Sequence, residues 1–231
     1  MKTIGLLGGM SWESTLIYYR EINRQVSQSL GGLHSAEILI YSIDFDPLAQ
    51  LQREGRWDQA ANLLVEAALK LQNAGADFLL LCTNTMHKVA TQIEDAIQIP
   101  LLHIADTTAQ TLVNHKIQSV GLLGTAFTME QSFYKERLSR HFDLQVLIPN
   151  DADRQRVHNI IFQELCTGKI NSKSKAEFLR IIESIMNQGA EGIILGCTEI
   201  GLLLNQKDTI IPLFDTALIH AKKAAEFALQ T

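Results

Sequence analysis

No run of eighteen or more apolar residues occurs in this 231-residue sequence, so nothing in it reads as a membrane-spanning helix. A cationic excess is also missing. Twenty Lys and Arg stand against 25 Asp and Glu for a formal charge of −5, and the basic residues are scattered. That pattern excludes a nucleic-acid footprint. An anionic ligand would need locally placed cations rather than a general positive field. Only three cysteines occur, Cys82, Cys166 and Cys197, without CxxC spacing, and the seven histidines contain no H-E-x-x-H, so the common zinc patterns are absent. The opening "IGLLGGM" is too short an apolar run for a secretory signal, and no small-residue cleavage site follows it. The expectation is a cytoplasmic protein with free thiols, each structural or catalytic. "GLLGGM" does not supply G-x-G-x-x-G, and "TGKIN" lacks the upstream glycine of a P-loop, so neither supports a nucleotide site.

The composition that remains, 46% hydrophobic and 19% charged, is that of an ordinary globular protein long enough for one large α/β domain or two smaller ones. Short apolar runs at 3–7, 36–42, 78–81, 101–104, 119–123, 144–148, 192–195 and 210–213 read as strands. Helix-length amphipathic segments lie between them, roughly at 13–30, 57–74, 86–97, 106–115, 129–140, 153–167, 173–188 and 215–229. This alternation predicts an α/β fold of parallel sheets covered by helices.

Self-comparison sharpens the prediction. "IGLLGGMSWES" (4–14) is echoed by "VGLLGTAFTME" (120–130), "NAGADFLLLCTNT" (73–85) by "QGAEGIILGCTEI" (188–200), and "IPLLHI" (99–104) by "IPLFDT" (211–216). Matched at Ile4 and Val120, at Gly75 and Gly189, and at Ile99 and Ile211, the offsets are 116, 114 and 112 residues, so three phrases recur in order at nearly constant separation. They point to a duplicated unit and two similar lobes facing each other: the first from 1–104 completed by 211–231, the second from 105–210. Ungapped alignment of Gly75-Ala76-Asp77 with Gly189-Ala190-Glu191 sets Cys82 opposite Gly196, Thr83 opposite Cys197, Asn84 opposite Thr198 and Thr85 opposite Glu199. Strand side chains alternate, so a shift of one residue aims Cys82 to the other face; a gap at the strand end would restore it.

In open parallel sheets ligands sit beyond the carboxyl ends of the strands. "GGMSWEST", "CTNTMH", "GTAFT" and "GCTEIG" all fall there, with hydroxyls and helix-start amides suited to a carboxylate. Ordinary helix capping by Ser, Thr and Asn is the alternative for any one of these loops. Cys197 follows a strand and precedes a helix start, a position expected to lower its thiol pKa. Cys166, in "FQELCTGK", falls near the apolar face of a helix and reads as structural, and His87 and His103 read as helix-start or core residues.

"GGMSWEST", "TNTMH", "ELCTGK" and "GCTEIG" together resemble the aspartate/glutamate racemase family over essentially the whole chain, closest to its YgeA-type bacterial branch of amino-acid racemases. The resemblance implies two pseudo-symmetric α/β lobes with the active site between them, and racemisation without any cofactor by two acid/base groups. Carried over residue by residue, Cys197 is one acid/base and Thr83 occupies the place of the other, where the family pattern normally has cysteine. Asn84, Thr85 and Thr198 would bind the substrate carboxylate or amine, with Glu199 near the amino group. Met10 and Ser11 would line the floor. Gln52 and Arg53 match a mobile first-lobe loop, and Lys169 a basic strap of the second lobe. The implied partner is a small-molecule amino acid, acidic or small and polar, with neither nucleic acid nor membrane; a homodimer is left open.

Thr83 departs from the pattern in a way that matters chemically. A threonine hydroxyl can give a proton to a carbanion but is a very poor base at neutral pH. Proton abstraction is therefore expected to be faster from the L enantiomer, which Cys197 serves. Two other functions share these features: an arylmalonate-type decarboxylase, which keeps only the second-lobe cysteine, and a non-catalytic amino-acid-binding protein.

Overall fold

The structure, a computed structural model, describes residues 1–230. They fall into two compact units, Met1–Ile104 with the chain from His220 onward, and Ala105–Ile219. In the first, β1 (Ile4–Gly8), β2 (Ile38–Ser42) and β3 (Phe78–Leu81) form a parallel sheet in the order β2-β1-β3. It carries α1 (Trp12–Leu30), α2 (Phe45–Arg53), α3 (Trp57–Asn73) and α4 (Ala90–Ala96). In the second, β4 (Ser119–Gly124), β5 (Gln145–Leu147), β6 (Gly192–Gly196) and β7 (Leu213–Asp215) form a parallel sheet in the order β5-β4-β6-β7. Its helices are α5 (Ile104–Asn114), α6 (Ala126–Glu130), α7 (Ser132–Phe142), α8 (Asp151–Gln163), α9 (Ser172–Met186) and α10 (Ile200–Leu203). The last helix, α11 (Thr216–Ala228), begins in the second unit and ends in the first.

The strand sequences explain the sheet order. β1, β3 and β6 are buried along their whole length and read as unbroken apolar runs, as central parallel strands covered on both faces should. β2 and β5 mix exposed and half-buried residues, and both lie at sheet edges.

The internal repeat is visible in hydrogen bonds as well as in letters. Ahead of β3 and of β6 the chain turns through Gly75 and Gly189, both at φ +100°, a conformation that disfavours any side chain. After each glycine an acidic side chain anchors the start of the sheet. Asp77 Oδ2 accepts from the Thr3 amide at 2.6 Å, and Glu191 Oε2 accepts from the Gln118 and Ser119 amides at 2.6 and 3.0 Å. The second unit has a full fourth strand, whereas its counterpart in the first is a single bridge between Leu79 and Leu101. The Pro100 and Pro212 carbonyls accept from the Leu79 and Ile193 amides at 2.9 and 2.8 Å in matching fashion.

Several expectations need correction. The run 101–104 leaves the sheet after one bridge, because α5 starts at Ile104. The run 210–213 becomes β7 at 213–215, since Ile210 is 91% exposed and Pro212 has no amide to donate. Because β7 pairs with β6, residues 211–219 join the second unit rather than completing the first, and Thr231 lies outside the described residues. Residues 45–53 form α2, capped by Asp44 and with Pro47 tolerated in its first turn. The helix expected over 153–167 ends at Gln163, and Cys166 sits in a 3₁₀ turn, Leu165–Thr167. No helix among the described residues is long and apolar enough to cross a membrane.

Tyr18 of α1 and His220 of α11 meet in the first unit's interior, edge to face with centroids 5.5 Å apart. His220 Nε2 lies 2.8 Å from the Leu102 carbonyl, so it must carry the proton and donate, and Nδ1 accepts from the Tyr18 hydroxyl at 2.9 Å. Burial pushes the His220 pKa down to about 4, against partial support from the Leu102 carbonyl. The unfolded chain takes up a proton near pH 6.5 that the folded ring refuses, so this contribution is complete above about pH 6.5 and is lost as pH falls toward 4. It amounts to about 3 kcal/mol at most. His220→Gln should be less stable than wild type at pH 7.5, with the difference shrinking steadily between pH 6.5 and 4 in urea unfolding midpoints; a constant difference would contradict this assignment.

Candidate functional site

The four loops "GGMSWEST", "CTNTMH", "GTAFT" and "GCTEIG" each emerge at a strand's carboxyl end, and the strand register decides which positions are equivalent. In the first unit Ile4 pairs with Phe78 and Leu7 with Leu81; in the second Val120 pairs with Gly192 and Leu123 with Leu195. Superposing these registers sets Cys82 against Gly196 and Thr83 against Cys197, with no gap. The second unit demands glycine at 196: a Cβ there would stand 2.9 Å from the Leu123 carbonyl oxygen. In the first unit the corresponding residue, Cys82, is fully buried. Its amide bonds to Leu7 O at 3.0 Å, its carbonyl accepts from Ser14 Oγ at 3.0 Å, and burial raises its thiol pKa. Cys82 is part of the core.

Around Thr83 the first unit gathers most of its candidate residues. Thr83, Asn84 and Thr85 follow β3 at 8, 3 and 8% exposure and lead into a 3₁₀ turn, Thr85–Val89. Ser11 caps α1, with its Oγ 3.4 Å from the Ser14 amide, and Met10 beside it is buried. Thr15 ties this turn together: its Oγ1 accepts from the Gly9 amide at 2.8 Å and donates to the Ser11 carbonyl at 3.1 Å. Ser14 thereby links the turn after β1 to the end of β3. Gln52 and Arg53 lie on the last turn of α2 rather than in a loop. Gln52 is buried, with Nε2 2.9 Å from Met86 Sδ, whereas Arg53 is exposed.

In the second unit Cys197, Thr198 and Glu199 come directly after β6. Cys197 Sγ donates to Glu199 Oε2 at 2.9 Å, and Thr198 Oγ1 donates to the same oxygen at 2.8 Å. This reverses the expectation for the thiol. Burial first, and then the negative charge of Glu199, push the Cys197 pKa well above that of a free cysteine. α10 has only four residues, too short a run of aligned peptides to offset either effect. Cys166, missed as a neighbour, lies close enough to contribute: its own thiol is raised by burial and by the Glu199 charge, and its 3₁₀ turn packs on α10. The phrase "ELCTGK" carries no spacing signal for that proximity. Lys169, just past the turn, is exposed. No group of three or more His, Cys, Asp or Glu side chains that would hold a metal ion occurs among the described residues.

The model of the Asp/Glu/Hydantoin racemase family matches residues 7–224. The chain belongs to that family. As one of its racemases it is an isomerase, and the strand-end thiol and hydroxyl lie within the matched region. The chain is similar to the broad specificity amino-acid racemase RacX of Bacillus subtilis (strain 168), with 27% identity over 222 residues and 95% of each chain covered. Among solved structures it resembles a candidate Asp/Glu racemase from Yersinia pestis at 53% identity and TM-score 0.93, with both chains fully covered. It also resembles an aspartate racemase homologue from Pyrococcus horikoshii OT3 at 36% identity and TM-score 0.85, again with both chains fully covered.

The electrostatics of this racemase's Cys197 are directly testable. Replacing Glu199 by Gln removes the neighbouring charge but leaves the burial, so ionisation of the thiol becomes easier. Glu199→Gln should speed iodoacetamide alkylation of Cys197 severalfold at pH 8, read by peptide mass spectrometry, while native Cys82 stays unlabelled in both proteins. Slower labelling in the variant would show that Glu199 promotes the thiolate instead.

Proposed function

We propose that the chain is a cofactor-independent amino-acid racemase acting on acidic or small polar amino acids, with Cys197 and Thr83 as its two proton-transfer groups. What supports the reading is the matching register: an ionisable thiol follows one central strand and a hydroxyl follows its counterpart in the other unit. The reaction needs the two groups to reach opposite faces of one α-carbon, and that requirement is part of the proposal. Asn84, Thr85 and Thr198 are the neutral partners for the substrate's carboxylate and amine, with Met10 and Ser11 as floor. Gln52, Arg53 and Lys169 are the groups proposed for the carboxylates.

The α-hydrogen of an amino acid is weakly acidic, so carbanion formation depends on hydrogen bonds to the carboxylate and on exclusion of water. In the empty site Cys197 is held as a thiol by burial and by Glu199. A substrate ammonium group beside Glu199 offsets that charge, and the thiol proton leaves to water. The thiolate then takes the α-proton of the L enantiomer and returns to thiol. The carbanion takes a proton from Thr83 Oγ1 on the other face, giving the D enantiomer. The resulting alkoxide recovers a proton from water, and the enzyme is restored.

This sequence is downhill at Thr83 in one sense only. Donation to a strongly basic carbanion needs no prior ionisation, though it is slower than return of a proton by Cys197, whereas abstraction needs the alkoxide, a rare species near neutral pH. Free enantiomers are equally stable in achiral water, so kcat/KM for net conversion is equal in both directions. The asymmetry falls in α-proton exchange, because Cys197 can remove a proton from L and return a solvent deuteron before Thr83 acts. In deuterated water, with the L and D forms of aspartate, glutamate and serine followed by proton NMR, exchange from L should exceed exchange from D, and Thr83→Cys should raise the D rate most. Equal initial rates from both enantiomers in the wild type would sink the assignment of Thr83. Release of carbon dioxide from an arylmalonate, without amino-acid exchange, would favour the decarboxylase.

A further inference from the structure

The carbonyl groups of Thr83 and Cys197 occupy equivalent positions but are held differently. The Cys197 carbonyl accepts from the backbone amide of Ile200 at 3.0 Å, so the peptide chain itself fixes it. The Thr83 carbonyl is met by a side chain: His87 Nδ1 lies 2.7 Å away, while the His87 amide is used by Asn84 O at 3.1 Å. The other ring nitrogen, Nε2, accepts from the Ile104 amide at 3.2 Å. A backbone amide can only donate, so Nε2 is bare, Nδ1 carries the hydrogen, and the ring is neutral. His87 is 3% exposed and packs edge to face on His103, centroids 4.4 Å apart, with the His220 ring at 6.1 Å.

The second unit shows what this replaces. By the register, His87 corresponds to Gly201 and His103 to Asp215, and a Cβ on Gly201 would run into the Asp215 carboxylate. The second unit fills that volume with a carboxylate and leaves the catalytic-strand carbonyl to the backbone. The first fills it with two imidazoles and gives the carbonyl to one of them. His87 therefore spans from the peptide of Thr83 to Ile104, the last residue before the chain enters the second unit.

We propose that His87 is a positioning residue for Thr83: through its Nδ1–H bond to the Thr83 carbonyl, it sets the orientation of the peptide that carries the proton-donating hydroxyl. This rests on the reading of Thr83 as the proton donor. A hydroxyl has one proton to give along one direction, so small rotations of its peptide weaken donation steeply. Cys197 lies in the other unit and is held by its own backbone, so the step it performs does not depend on His87.

That separation supplies the test. With L-aspartate, L-glutamate or L-serine in deuterated water, whichever exchanges fastest in the wild type, deuterium in recovered L substrate reports Cys197, and formation of D product reports Thr83 as well. His87→Gln places its amide toward Ile104 and loses the Nδ1 donor; His87→Asn keeps a donor where Nδ1 was. His87→Gln should lower conversion to the D form about tenfold or more, while exchange into L changes far less. His87→Asn should recover most of the conversion. A common fall in both processes in both variants, or unchanged conversion in His87→Gln, would overturn the proposal. Loss of wild-type exchange would instead defeat the racemase reading beneath it. If the variants do not fold, ¹⁵N NMR of the wild-type ring decides the matter: a neutral Nδ1–H tautomer from pH 6 to 8 is expected, and an Nε2–H or doubly protonated ring would overturn it.

Discussion

Parallel pairing of β1 with β3, and of β4 with β6, is the constraint from which the rest of the candidate site follows. Each pairing fixes the last hydrogen-bonded residue of a central strand, and so fixes which side chains of the next three residues leave the sheet together. Close backbone contact enforces the register in the second unit, where Gly124 and Gly196 approach so that a Cβ on the first would lie 2.8 Å from the carbonyl of the second. Shifting either strand by one residue would exchange Thr83 for the buried Cys82, or Cys197 for a glycine.

Much of this was legible in the chain because the same physical problem is solved twice. Runs such as "DFLLL" and "GIILG" are apolar throughout because their strands are covered on both faces. The turns before them need glycine and an acid for the reasons seen at Gly75 with Asp77 and Gly189 with Glu191. The resemblance to the racemases and the exchange of Cys82 for Thr83 were readable from the same phrases. What was not legible depends on contacts between segments distant in sequence. β7 joins the second sheet through pairing with β6, which no local pattern in "IPLFDT" announces. α2 was missed because it is only nine residues long and carries Pro47, which reads as a helix breaker unless its first-turn position is known. The raised thiol of Cys197 comes from burial and from one carboxyl rotamer of Glu199, neither of which a sequence records. His87 looked like core, and it is buried; its bond to the Thr83 carbonyl is a matter of geometry.

The two proposed acid/base groups are unlike in kind, and the surroundings of each suit the difference. The thiol is buried beside a carboxyl group that keeps it protonated, so its reactivity waits on a change of local charge that a substrate ammonium can supply. The hydroxyl needs no ionisation to act as a donor; it needs aim, which a neutral imidazole clamped between two backbone groups provides. Both groups are buried, which in the proposed reaction would keep water from competing for the carbanion.

The central claim is that the step at Thr83 limits net conversion in both directions, and substrate isotope effects test it most directly. For D substrate deuterated at the α-carbon, the slow step breaks the labelled bond at Thr83, so kcat/KM should show a large primary isotope effect. For L substrate labelled in the same way, Cys197 breaks that bond before the slow step, so the effect on conversion should be small, and the sensitivity should move to deuterated solvent. Primary effects of equal size on both enantiomers would mean two equivalent bases, and would contradict the account.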